Sequence, residues 1–137
     1  MNTVRNDLAL RWLKKAENDI VTARQTLSLP DGPTDTVAFH AQQAAEKALK
    51  ALLTFQGVEF PKIHDLVRLV DLAAPHSSAV SRYREDLAEI TNYAVQARYP
   101  DEFVEPARDD AAKSLHVAME IVKIVKTEVT AWRQEPP

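Results

Sequence analysis

The chain has 137 residues, 45% of them hydrophobic and 27% charged, which is the size and composition of one globular domain and excludes a chain too polar to fold. Its 17 basic and 20 acidic residues leave a net charge of -3, so it lacks the overall basic excess that drives nonspecific binding to a phosphate backbone. With no cysteine, no signal-peptide pattern and no apolar run of membrane-spanning length, the expectation is a cytoplasmic protein without disulfides, zinc thiolates or membrane contact.

Long alanine- and leucine-rich stretches with apolar residues three and four apart, and only two glycines, predict an all-α chain. A first helix is predicted from about Asp7 to about Leu27, with Trp12, Ala16, Ile20, Ala23 and Leu27 on one stripe, and Pro30-Asp31-Gly32-Pro33 ends it. Thr34 or Asp35 is the expected cap of a second helix that runs through Gln56 to Gly57, which supplies the left-handed C-terminal position. Ala38, Ala41, Ala45, Ala48 and Leu52 make its inner stripe, small enough for another backbone to approach closely, and mark it as the central helix. A third helix is predicted from Ile63 to Ala73, ending before Pro75. A fourth follows from about Ser78 to about Ala97, with Val80, Tyr83, Leu87, Ile90 and Ala94 on one side and Pro100 beyond its end. The last starts near Pro106 and carries Ala111, Leu115, Ala118, Val122, Val125 and Val129 towards Trp132, with residues 132–137 as a frayed tail. These elements make a single domain over residues 1–137: an antiparallel helical bundle of about five helices, four of them an up-and-down core and one short.

Three places carry chemistry. On the second helix Gln43, Lys47 and Lys50 share a side and can meet a phosphate together; the competing reading is a solvated face steadied by a Glu46–Lys50 pair worth roughly 0.3 kcal/mol. At the start of the third helix Asp65 can accept backbone N–H bonds, while His64 is either a general base or phosphate donor or an ordinary first-turn residue. Between Asn92 and Asp101, Arg98 can hold a phosphate bidentately and Tyr99 can stack on a base; alternatively, Arg98 serves the helix C-terminus and Tyr99 packs on the bundle. His40, His76 and His116 show no paired metal-ligand spacing, the acidic run Asp101, Glu102, Glu105, Asp109, Asp110 fits no metal loop, and no glycine-rich phosphate loop exists. No metal and no cofactor is therefore expected.

The ordered set Trp12-Leu13-Lys14-Lys15-Ala16-Glu17-Asn18-Asp19, Phe39-His40-Ala41-Gln42-Gln43-Ala44-Ala45-Glu46-Lys47-Ala48-Leu49-Lys50-Ala51, Gly57, Pro61, His64-Asp65-Leu66 and Ala97-Arg98-Tyr99-Pro100-Asp101 resembles the HEPN family over nearly the whole chain. The resemblance implies a helical bundle that pairs as a homodimer. It also implies nucleotide binding, and a partnership with a separately encoded minimal nucleotidyltransferase of toxin-antitoxin type. Ribonuclease members carry an arginine, then four to six residues, then a histidine, a pair that acts on RNA. In this chain Arg68 and Arg108 each precede the next histidine by eight positions, so that signature is missing.

The expectation is accordingly a noncatalytic nucleotide-binding or partner-binding domain, with Lys47, Lys50, His64, Arg98 and Tyr99 as candidate nucleotide-binding residues and no catalytic residue assigned. Two alternatives stay open: a ribonuclease using Arg98 with His64 or Tyr99 in a groove shared between subunits, and a pure protein-interaction module.

Overall fold

The computed structural model describes residues 3–96 and 105–131, with side chains through 91 and again from 105. Among the described residues all regular structure is helical: α1 Thr3–Ser28, α2 Thr34–Gln56, α3 Leu66–Ala73, α4 Ser78–Ser81, α5 Arg84–Gln96 and α6 Arg108–Ala131, with a 3-10 turn at Ala74–His76 between α3 and α4. Four longer helices form the bundle and the short pieces bridge it, so the all-α antiparallel bundle is observed.

α2 is the central element because alanine lets its neighbours close in. Ala38, Ala41, Ala44, Ala45, Ala48 and Ala51 are all buried, and α1, α3, α5 and α6 each pack on this helix. Leu49, Leu52 and Leu53 fill the gaps the alanines leave. Facing it, α1 buries Ala9, Leu13, Ala16, Ile20 and Ala23, while Trp12 and Leu27 of the predicted stripe lie at its half-buried edge. All six predicted core residues of α6 are buried.

The ends are held as much by distant residues as by local ones. Gly57 takes φ 73, and Val58 N–H closes on Leu53 O at 2.9 Å, the left-handed ending that a side chain would strain. At the other end of α2 neither Thr34 nor Asp35 is the cap. The cap position is Pro33, which offers no side-chain acceptor, and Thr34 N–H instead donates to Glu105 Oε1 at 3.4 Å. The Thr34 hydroxyl donates to Pro106 O at 2.7 Å, so the start of α2 is tied to the segment entering α6. Likewise the Arg108 guanidinium donates to the Leu27 and Leu29 carbonyls, placing a cation at the negative end of α1.

Three predicted helices differ in detail, and of these α1 begins at Thr3 rather than about Asp7. α3 begins at Leu66 rather than Ile63, because Asp65 caps it by accepting from Val67 N at 3.0 Å and Arg68 N at 3.3 Å. The predicted fourth helix is two, α4 and α5, separated at Arg82 and Tyr83. There Tyr83 N–H bonds three residues back to Val80 O, and the Ser81 hydroxyl donates to Ser78 O, tightening the turn. Val80, Leu87 and Ile90 still face the core.

Candidate functional site

The less exposed ion pairs of the described residues gather along the seam between α1 and α2 and the loop after α2. α1 and α2 run antiparallel, so Trp12 lies beside Lys50 while Asp19, two turns further along α1, lies beside Lys47 and His40. The loop from Gly57 to Asp65 then returns His64 to the side of Glu46. Two clusters result, each a carboxylate shared between a histidine and a lysine.

In the first, Glu46 is 3% exposed and every contact to it is a donor. Its Oε1 accepts from His64 Nδ1 at 3.0 Å and from Gln42 Nε2 at 3.2 Å, and its Oε2 accepts from Lys50 Nζ at 3.2 Å. The Lys50 ammonium also sits 5.6 Å from the centre of the Trp12 ring, a cation–π contact that replaces some of the water it has lost. Gln42, itself buried, spans the gap by donating also to His64 O at 3.3 Å. Burying a carboxylate costs free energy unless donors replace the water it loses, and these three side chains supply them. The Glu46–Lys50 pair is thus present but buried, and the solvated face that spacing also allowed is corrected: the loop carrying His64 and the Trp12 ring cover it.

The second cluster is more open. Asp19 accepts from Lys47 Nζ at 2.6 Å through Oδ2 and from His40 Nδ1 at 3.0 Å through Oδ1. Phe39, exposed for a large apolar residue, makes an edge contact with the His40 ring at 5.4 Å.

Both histidines present Nδ1 to a carboxylate. An ionised carboxylate fixes the proton on Nδ1, which turns Nε2 towards the surroundings as an acceptor in the neutral ring and a donor in the imidazolium. His64 has 65% of its side chain exposed, so its Nε2 is open to an incoming ligand. Among the predicted site residues, Lys47 is partly exposed beside Asp19, Lys50 is buried against Glu46 and Trp12, and His64 is largely exposed. Arg98 and Tyr99 lie outside the described residues.

Asp19, His40 and Glu46 were not among the candidates. His40 and Lys47 are seven positions apart, hence on one face of α2, and both, like Asp19, stand in the segments that carry the family resemblance, but no spacing joins Asp19 to them. The carboxylate that joins them comes from another helix.

The profile of the HEPN domain family matches residues 9–128. Among solved structures the chain is similar to TT1696 from Thermus thermophilus, with 29% identity, a TM-score of 0.71, and coverage of 88% of this chain and 97% of that one. It is also similar to ST0689, described as an archaeal HEPN homologue, with 31% identity, a TM-score of 0.64 and the same coverage. No curated protein matches the chain.

Proposed function

The chain belongs to the HEPN family, and from that premise we propose that it is a noncatalytic nucleotide-binding domain whose phosphate-recognising groups are Lys47 of α2 and His64 of the loop that returns beside it. The observation that carries this reading is the exposed imidazole of His64, held through Nδ1 by a buried glutamate and therefore oriented before any ligand arrives. In the imidazolium form Nε2–H donates to a phosphate oxygen. Lys47, one residue beyond Glu46, supplies a second, surface-reachable cation that can turn from Asp19 to the ligand. Lys50 acts by position: it neutralises Glu46 and so keeps the glutamate able to hold His64.

We extend the reading to the setting the family implies: a homodimer working beside a separately encoded nucleotidyltransferase, with Arg98 and Tyr99 adding a phosphate contact and a stacking surface.

Isothermal titration with ATP and GTP tests the core of this proposal. The wild type should release heat with at least one nucleotide. His64→Ala should weaken that binding by about tenfold, the loss of one charge-assisted hydrogen bond, and Lys47→Ala by a comparable factor. Absence of heat with every nucleotide, or affinity untouched by both substitutions, overturns it.

A further inference from the structure

On the side of α1 away from His64 a groove of about 320 Å³ runs between α1 and α6. Its floor is apolar, formed by Ile20, Val21, Met119 and Val122. Val21 is 52% exposed, among the most exposed large apolar residues described. A second hollow of about 340 Å³ shares Val21 and Arg24 with the first and continues along α1 past Gln25 to Ser28. From Glu17 to Ser28 the two together follow α1 for about 16 Å at the rise of a helix. Together they make a strip along α1, walled by α6 over the first hollow only, that a helix can lie along.

Its charge is opposite to that of the chain. Arg24, Lys123 and Lys126 line the groove against one carboxylate, Glu17, which pairs only with Lys126 at 3.4 Å. Arg24 and Lys123 have no ion-pair partner among the described residues, in a protein whose net charge is -3. Basic rims over an apolar floor select for a partner with acidic flanks and an apolar stripe, and disfavour a basic one.

We propose that the α1–α6 groove is a docking site for an acidic amphipathic helix of a partner protein, its apolar stripe on Val21 and Met119 and its carboxylates on Arg24 and Lys123. The site is separate from the His64 surface, so it stands or falls independently of nucleotide binding.

The probe is a fluorescein-labelled helical peptide of about 14 residues, with leucines three and four apart and glutamates elsewhere, beside a twin with lysine for every glutamate. Fluorescence anisotropy against the full chain should show binding of the acidic peptide and not of its twin, weakening as salt is raised. Arg24→Glu/Lys123→Glu should reduce that binding by at least about tenfold, and so should Val21→Glu; all three positions are exposed, and circular dichroism confirms that the variants fold. Nucleotide titrations should be unchanged in both variants. Equal binding of the two peptides, no binding of the acidic one, or binding that survives both variants overturns the proposal. Self-association that Val21→Glu abolishes, with no peptide bound, also overturns it and gives the groove to a second copy of the chain.

Discussion

The Glu46 and Asp19 clusters contain the same three kinds of group, yet burial makes them different devices. Around Glu46 the lysine is 8% exposed and the histidine 65%, so the salt bridge is interior and the imidazole is offered to solvent. Around Asp19 the lysine and histidine are each 25% exposed, and neither is buried or fully presented. The first cluster is a rigid mount for one exposed group. The second is a latch between α1 and α2 at the edge of water. Residue types alone do not separate them; what lies over the carboxylate does.

The largest effect should come from breaking the mount. Lys50→Met leaves Glu46 buried with its main cation gone, and urea unfolding should show a loss of about 3 kcal/mol. Adding Glu46→Gln to it should recover much of that loss, because the uncompensated charge is then removed as well. If Lys50→Met costs nothing, Glu46 is less dry than its contacts indicate and the contrast between the clusters fails.

A smaller loss, about 1–2 kcal/mol, is expected for Asp19→Asn, which keeps the shape of the latch but removes its charge from a partly hydrated pair. A cost equal to that of Lys50→Met would mean that the two clusters are energetically alike despite their different burial.

The smallest effect sets the solvent limit for the same chemistry. Asp71 and Arg84 form a bidentate pair at 2.8 and 3.2 Å with both side chains more than half exposed. The hydrogen bonds from Arg84 hold the Asp71 carboxyl below its ordinary 3.8, with burial opposing weakly and the guanidinium charge adding to the lowering. A depressed folded-state value means the pair stabilises the protein above about pH 4 and loses that contribution as the pH falls through the folded value. Asp71→Asn should therefore lower the melting temperature slightly at neutral pH and not at all in strong acid. A difference that persists in acid would show that the substitution acts by something other than charge.

Much of the fold was legible because it rests on local rules. The alanine stripe of α2, the core face of α6, Gly57 as a helix ending and Asp65 as an acceptor of backbone N–H bonds each depend on spacing within one segment. The N-terminus of α2 was not legible, since its acceptor, Glu105, is 71 residues away in the chain. The split at Arg82 and Tyr83 was hidden for a subtler reason: Val80, Leu87 and Ile90 keep a helical apolar pattern across a turn that costs only a changed hydrogen bond.

For the site, the sequence by itself determined the all-helical chain, the family, and the presence of His64, Lys47 and Lys50 on or beside α2. It could not determine which carboxylate each would meet. That depends on the register between α1 and α2, which brings Asp19 to Lys47 and His40, and on the return of the loop after Gly57, which sets His64 against Glu46. Only the tertiary structure decided that Lys50 would be buried and His64 exposed, because burial belongs to the packing of several segments at once, whereas helical periodicity belongs to one.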